Sequence, residues 1–341
     1  MLIPLFKPTL KRKDMDSVLT CMVSDRLAPG IYNEQYVAEF ARLLGCAGGI
    51  ALGSYYSAIS LAFASLNLKP EDKVVLSPLA PSLYMAVLQK QKLQAILVDV
   101  DPHSGLISQS ELEKALTHQP KVIVCHHTLG YVYNMALLAT YGLPIIEDVS
   151  QALGGSWQDK PVGSFGNLVV ASLDEQSIIT AGCGGIVLAR KKTDTQQLKR
   201  LLEQNIQHPL LSDLNASVAL AQLHELNNFV ETRREISRIY SEALMRSRHA
   251  TLHQPEEGMA VPYSFPVLVD TGIKEVRQFA KKKGIMTGAA YNETIITMDD
   301  VIYNSFPQAK SLLLKCLLFP LYPMLGRSNI ALIAKVLAAL P

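Results

Sequence analysis

Short, unbroken runs of apolar residues recur along the first two thirds of the chain, and helix-like stretches separate them. Apolar runs without polar alternation are typical of strands buried on both faces of a parallel sheet. The repeating strand and helix pattern therefore predicts an α/β fold with a doubly wound sheet. The predicted strands lie at 49–52, 74–76, 95–98, 122–124, 145–146 and 169–171, with helices at 57–65, 81–90 and 109–116.

The last third of the chain has a different pattern. One long helical stretch begins near Ser212, whose hydroxyl can act as the N-cap, and runs to about Leu244. After it we predict a strand at 264–269, a helix at 273–283 and a final helix from about Arg327. This order predicts a large domain over residues 1–225 and a small C-terminal α+β domain over residues 226–341.

The composition favours an extensive core. Of the 341 residues, 49% are hydrophobic and 18% are charged, which predicts a buried oligomer interface and makes a homo-oligomer our expectation. The net charge is +2 with both signs interspersed, so we expect no binding of nucleic acid through its phosphates. No apolar stretch approaches the roughly 20 residues of a membrane span, and we expect a cytoplasmic protein without a membrane partner.

The five cysteines are scattered without metal-ligand spacing, which predicts reduced thiols and no metal site. His126 and His127 are the only adjacent histidines, and neighbouring residues on a strand point to opposite faces. Joint metal binding by this pair is therefore not expected.

A buried strand at 145–148 ends in Glu147 and Asp148, and the glycine-rich segment 182–185 follows about thirty residues later. The order of motifs around it resembles the DegT/DnrJ/StrS family of sugar aminotransferases. These fold-type I enzymes use pyridoxal phosphate (PLP) to aminate keto sugars attached to nucleotides. The matching segments are 3–8, 27–30, 97–102, 127–135, 145–154, 162–166, 182–185, 219–223, 284–287 and 319–323.

The resemblance implies the fold-type I PLP-transferase fold, with a large domain of mostly parallel sheet between helices and a small C-terminal α+β domain. It also implies a homodimer, a nucleotide-sugar ligand and a place in polysaccharide or amino-sugar biosynthesis. In the family pattern, Asp148 matches the partner of the PLP ring nitrogen, Gln151 the residue beside the ring hydroxyl, and Ser172 a phosphate contact. A second interpretation is that Asp148 only caps a following helix.

Several positions depart from the family pattern. The phosphate-binding Ser-Gly-Thr is replaced by Ser54, Tyr55 and Tyr56, whose rings can fill the phosphate cup. The ring-stacking aromatic falls at Pro81, with Tyr84 one turn later as a substitute. The partner-subunit Asn-Tyr-Arg contact aligns with residues 208–210, which are His, Pro and Leu, and the Schiff-base lysine aligns with Ser177.

These departures lead to three hypotheses. The first is a pseudoenzyme that has lost PLP binding and transamination and instead binds a sugar nucleotide or a partner protein. The second is a PLP- or pyridoxamine-phosphate (PMP)-dependent aminotransferase or dehydratase with altered catalytic residues, drawn from Asp174, Glu175 and Cys183. The third is an ordinary aminotransferase whose lysine lies elsewhere in the chain.

Overall fold

The computed structural model describes residues 2–204, 208–270 and 272–341. In chain order its strands are β1 (Gly48–Leu52), β2 (Lys73–Leu76), β3 (Gln94–Leu97), β4 (Val122–His126), β5 (Ile145–Asp148), β6 (Ser156–Trp157), β7 (Lys160–Pro161), β8 (Leu168–Ser172), β9 (Gly185–Ala189), β10 (Gly258–Met259), β11 (Phe265–Leu268), β12 (Gly288–Ala289) and β13 (Cys316–Phe319).

The helices surround these strands. In chain order they are α1 (Arg12–Val23), α2 (Ile31–Leu44), α3 (Tyr55–Ser65), α4 (Leu83–Lys90), α5 (Gln109–Leu116), α6 (Met135–Thr140), α7 (Lys192–Gln204), α8 (Asp213–His224), α9 (Leu226–Leu244), α10 (Ile273–Lys282), α11 (Asp300–Ser305), α12 (Pro307–Lys315) and α13 (Arg327–Leu337).

The main sheet has seven strands in the order β1-β9-β8-β5-β4-β2-β3. The pairs among β8, β5, β4, β2 and β3 are parallel, and β9 runs antiparallel to both of its neighbours. This large, mostly parallel sheet confirms the predicted fold class. The predicted strands and helices of this region match the observed bounds to within two residues.

Helices cover both faces of the main sheet. Ile146 and the other residues on one face pack with α3, α4 and α7, whereas Ile145 and its neighbours on the opposite face pack with α5 and α6. Burial on both faces explains why the strand sequences are unbroken apolar runs. It also means that the polar side chains at the carboxyl ends of β4 and β5 lie inside the protein.

The single long helix predicted after Ser212 is wrong, because two helices, α8 and α9, occupy that stretch. They are separated at Glu225, whose φ and ψ are −95° and 1°. The Glu225 carboxylate accepts a hydrogen bond from Lys11 Nζ at 2.6 Å, a long-range contact that local sequence does not reveal. The predicted N-cap is confirmed, since Ser212 Oγ accepts a hydrogen bond from the Asn215 amide at 3.2 Å.

The C-terminal part holds a three-stranded antiparallel sheet in the order β11-β13-β12, packed with α9, α10 and α13. Arg233 of α9 is buried, and its Nη1 donates to the carbonyl oxygens of Pro262, Tyr263 and Leu321 at 3.0 to 3.1 Å. A second small sheet has the order β10-β6-β7. The division into domains at residues 225 and 226 stays a prediction.

Within the described residues, no helix has both the length and the apolar character that crossing a bilayer requires.

Candidate functional site

Strands β4 and β5 bring two histidines and two carboxylates together at the carboxyl edge of the main sheet. His126 lies opposite Asp148 in the parallel register, and Cys125 lies opposite Glu147. As predicted from strand alternation, the two histidines serve different faces: His126 contacts Asp148, and His127 contacts Glu147. Ligands of open α/β sheets bind at this edge, so the polar residues here are the candidate site.

Asp148 is fully buried and accepts five hydrogen bonds from the protein itself. Its Oδ2 accepts from the hydroxyl of Tyr55, from the hydroxyl of Tyr84 at 2.9 Å and from His126 Nδ1 at 2.9 Å. Its Oδ1 accepts from the amide and the hydroxyl of Ser150 at 3.0 and 2.6 Å. Since a carboxylate offers about four lone-pair sites, these donors saturate it. We call these five residues the Asp148 cluster.

The electrostatics of the Asp148 cluster favour an ionised acid beside protonated hydroxyls. Burial works against ionisation, but the charge and hydrogen bond of His126, with the bonds from Ser150 and Tyr55, outweigh it and lower the pKa of Asp148 to about 2. Burial and the adjacent Asp148 charge raise the pKa values of the Tyr55 and Tyr84 hydroxyls well above their usual range. Both tyrosines therefore act as donors to a carboxylate.

The expectation that Asp148 only caps a helix is wrong. Residues 150–154 form turns, and the bonds from Tyr55, Tyr84 and His126 come from other elements. Tyr84 also differs from its expected role as a stacking ring. It is buried edge-on against Phe63, with ring centroids 6.4 Å apart, and its hydroxyl points at Asp148.

The start of α3 supplies the residues that align with the family's phosphate cup. Ser54 is the N-cap, and its Oγ accepts from the Ser57 amide at 3.1 Å and donates to the Ser57 hydroxyl at 2.9 Å. Tyr55 turns inward to Asp148. Tyr56 is half-buried, with Lys90 Nζ 5.9 Å from its ring centroid. Only the first of these two tyrosines therefore belongs to the Asp148 cluster.

The segment that aligns with the family's lysine loop begins at the end of β8. Ser172 Oγ donates to Asp174 Oδ2 at 2.6 Å, and the Ser172 amide donates to Ser150 Oγ at 2.9 Å. Ser177 is partly exposed, and its amide donates to the Asp174 carbonyl at 3.0 Å in a local turn. Ser172 thus touches the Asp148 cluster, whereas no bond within the described residues links Ser177 to it.

Gln151 lies near the same edge but is engaged elsewhere. Its Oε1 accepts a hydrogen bond from the Leu129 amide at 2.6 Å, and Leu129 has a left-handed backbone with φ of 51°. Its role beside a ring hydroxyl stays a prediction. The other candidates from the sequence are outside the Asp148 cluster: Glu175 and Cys183 are exposed, and His208 is buried with an unpaired Nδ1.

Sequence reasoning missed His126 as a site residue. The available signal was its position as the last residue of a buried strand, next to a strand that ends in Asp148. A titratable imidazole in an otherwise apolar, buried strand indicates a specific polar partner. The parallel pairing of β4 with β5, which places the two side chains side by side, was the information that the sequence lacked.

An open groove of about 580 Å³ lies elsewhere on the protein, lined by residues of β3, α5 and α12 and of the segments beside them, among them Asp99, Ser108 and Pro307. None of the Asp148 cluster lines it. Its ion pair, Lys114 with Glu111 at 2.6 Å, is exposed, whereas the Asp148 cluster is a buried donor set, so the carboxyl edge of β4 and β5 remains the candidate site.

The sequence matches the DegT/DnrJ/EryC1/StrS aminotransferase family over residues 8–338. The chain belongs to this family. It is 26% identical over 255 residues to GDP-perosamine synthase from Escherichia coli O157:H7, a match that covers 70% of each chain.

Solved structures share the fold across the whole chain. The aminotransferase TlmJ from Streptoalloteichus hindustanus superposes with a TM-score of 0.90 at 22% identity, covering 99% of this chain and 98% of the other. The putative sugar aminotransferase Spr1654 from Streptococcus pneumoniae, in its PMP form, gives 0.89 at 18% identity, covering 99% and 97%. These likenesses confirm the fold-type I PLP-transferase fold.

The comparisons overturn one expectation from the sequence, namely that PLP binding is lost. PLP is the family's cofactor, and Spr1654 with the same fold is known in both a PLP form and a PMP form. Divergence at the cup and the missing lysine therefore do not exclude the cofactor.

The residues present fit part of such a cofactor. Asp148 would hold the ring nitrogen, and Ser54, Ser57 and Ser172 with the first amides of α3 would hold the phosphate. When bound, the cofactor supplies an electron sink for amino-group chemistry. What the site lacks is the amine that would link to the cofactor aldehyde, and what it adds is the Tyr55 hydroxyl on Asp148.

Proposed function

We propose that this member of the sugar-aminotransferase family has lost lysine-dependent transamination and that its site binds a nucleotide sugar in polysaccharide or amino-sugar biosynthesis. The family membership and the likeness to GDP-perosamine synthase support the ligand class. The observation that carries the loss of transamination is Ser177 at the position of the family's Schiff-base lysine.

Transamination through an enzyme-linked cofactor needs an amine that can both bond to the aldehyde and carry a proton between two carbons. A serine hydroxyl does neither. The loop from Asp174 to Gly182 presents Ser177 at the family's lysine position, and the sequence has no lysine between Lys160 and Lys191. Local shifts of this loop therefore cannot deliver the missing amine.

Borohydride trapping tests this part of the proposal. The protein is mixed with PLP, reduced and digested, and the pyridoxyl groups are located by mass spectrometry. We expect modification only on surface lysines, at the level seen in protein unfolded before PLP is added. A pyridoxyl-lysine that forms in the folded protein alone, and that disappears in Asp148→Asn, would contradict the proposal.

A second candidate is an enzyme with altered chemistry, and His126 is the observation that favours it. Its Nδ1 is fixed on Asp148, and its Nε2 makes no hydrogen bond within the described residues. An imidazole oriented by a carboxylate is a common general acid or base. Incubation with PMP and a GDP-linked keto sugar tests this candidate: loss of the sugar substrate in wild type but not in His126→Asn would establish it.

We also propose a homodimer, supported by the exposed face of α1. Met15, Leu19, Met22 and Val23 recur at helical spacing and are 51 to 83% exposed. A helix that leaves such a stripe in water marks an interaction surface, and a second copy of this chain is the occupant that the family suggests. Sedimentation should show a dimer that Leu19→Glu converts to monomer, while Leu314→Glu on α12 leaves the dimer intact. A monomeric wild-type protein would contradict this proposal.

We also propose that the protein is cytoplasmic. Cys21, Cys46, Cys125, Cys183 and Cys316 are all free thiols, a pattern typical of reducing compartments. Fractionation of cells that express the tagged protein tests it, and recovery in an oxidising compartment would contradict it.

A further inference from the structure

The hydrogen bond from Tyr55 to Asp148 occupies the position that a ligand needs. We propose that Tyr55 is an intramolecular occupant of Asp148, and that a ligand with a protonated aromatic ring nitrogen binds there only by displacing the Tyr55 hydroxyl. This inference deepens the proposed function and rests on its placement of the ligand at the Asp148 cluster.

The donors already present saturate Asp148. Three donors share Asp148 Oδ2 and two share Oδ1. A carboxylate has about four lone-pair sites, so a further N–H finds none open. A ring nitrogen that approaches this fully buried acid must therefore replace a donor that is already present.

Of the donors to Asp148, Tyr55 is the one that a ligand can displace. Tyr84 has no exposed surface and packs edge-on against Phe63. His126 is held by strand pairing directly opposite Asp148, and Ser150 is two residues away in the same turn. Like Tyr84, Tyr55 comes from the start of a helix, but 6% of its surface is exposed and none of the Tyr84 surface is. It is the donor that can move without disturbing the sheet.

Displacement of Tyr55 requires a motion of its side chain and not of its backbone. A Cβ atom on Gly185 would lie 2.7 Å from the Tyr55 Cα, so the backbone of Tyr55 is in close contact with β9. The cap formed by Ser54 and Ser57 also fixes the first turn of α3. Because the backbone is held, the change available is rotation of the Tyr55 side chain between staggered rotamers. Tyr55 would then act as a gate over the acid.

A PMP titration tests the gate. PMP has a pyridine nitrogen but no aldehyde, so its affinity does not depend on a lysine. Binding is measured by calorimetry for wild type, Tyr55→Phe, Tyr55→Ala and the control Tyr141→Ala, after circular dichroism confirms that each is folded. We expect Tyr55→Ala to bind PMP at least about tenfold more tightly than wild type, because a hydrogen bond to a charged group has an effect of this size.

The smaller change Tyr55→Phe should give an intermediate gain, since it removes the hydroxyl and keeps the ring. Tyr141→Ala should stay within about twofold of wild type, because Tyr141 precedes the amino end of β5 whereas Asp148 is at its carboxyl end. Adding Asp148→Asn to Tyr55→Ala should abolish the gain. Equal PMP affinity of wild type and Tyr55→Ala, or no measurable binding by either, would overturn the gate. An active lysine found elsewhere would contradict the proposed function and leave this readout unaffected.

Discussion

Two carboxylate and imidazole pairs lie next to each other at the end of the main sheet, on opposite faces. In the first, Glu147 is fully buried and accepts hydrogen bonds from the amides of Gly163, Phe165 and Gly166 at 2.6 to 3.0 Å. Its fourth partner is Nε2 of His127 at 3.3 Å. The His127 Nδ1 accepts from the Tyr133 amide at 3.2 Å, so this imidazole is held on both sides.

In the second pair, Asp148 is equally buried but receives four of its five hydrogen bonds from side chains. Only the Ser150 amide comes from the backbone. Backbone donors are fixed by the fold, whereas hydroxyl donors can rotate away. The difference teaches that the Glu147 pair is part of the scaffold and that the Asp148 cluster is built so that a ligand can exchange with one of its donors.

The largest expected effect is at Glu147. In Glu147→Gln an amide nitrogen replaces an acceptor and faces backbone N–H groups that have no other partner. Breaking a buried pair in this way costs about 3 to 5 kcal/mol. Urea unfolding should show this loss, while Glu175→Gln in the exposed loop should stay within about 0.5 kcal/mol of wild type. If Glu147→Gln destabilised the protein less than Asp148→Asn does, Glu147 would not be the more structural of the two acids.

Asp148→Asn should be less damaging to the fold. The amide oxygen that this substitution introduces can still accept from the hydroxyls of Tyr55, Tyr84 and Ser150, so we expect a loss of about 1 to 3 kcal/mol from the weakened bonds. The same urea titration measures it. If Asp148→Asn fails to fold, the acid is a structural element like Glu147 and the exchangeable cluster is wrong.

Acid should reduce the difference in the free energy of unfolding between wild type and Asp148→Asn. The pKa of Asp148 falls from 3.8 to about 2 on folding, so its stabilisation is fully present above about pH 4 and is lost as the pH falls toward about 2. The difference in urea midpoint between wild type and Asp148→Asn should therefore be smaller at pH 3 than at pH 7. A gap that stays constant would show that folding does not lower the pKa of Asp148.

The smallest effect on the fold is expected at Ser177. Because this side chain is partly exposed and no hydrogen bond within the described residues links it to the Asp148 cluster, Ser177→Lys should change stability by less than about 0.5 kcal/mol. It should also leave transamination of a GDP-linked keto sugar undetectable, since the phosphate cup and the partner contact at residues 208–210 still depart from the family pattern. Measurable amination by this single variant would show that the rest of the site is intact.

The fold and the place of the site could be predicted from the sequence. Unbroken apolar runs predicted a parallel sheet, and the acid at the end of β5 predicted a site at its carboxyl edge. The observed break at Glu225 was not predictable, because glutamate is a good helix former and its partner Lys11 is more than two hundred residues away.

The partners of Asp148 were equally inaccessible from local sequence. Tyr55 is 93 residues and Tyr84 is 64 residues from it, and only the folded sheet and helices bring the hydroxyls to the same oxygen. The sequence showed that a tyrosine could fill the cup. It did not show that the tyrosine would bond to the ring-nitrogen partner or that His126 would join it.

The central claim, loss of lysine-dependent transamination, is most directly tested by the first half-reaction. Wild-type protein is mixed with PLP and excess glutamate, and the formation of PMP and 2-oxoglutarate is followed by absorbance and chromatography. We predict that these products form no faster with the protein than they do from free PLP and glutamate alone. A rate well above that background, abolished in Asp148→Asn, would contradict it.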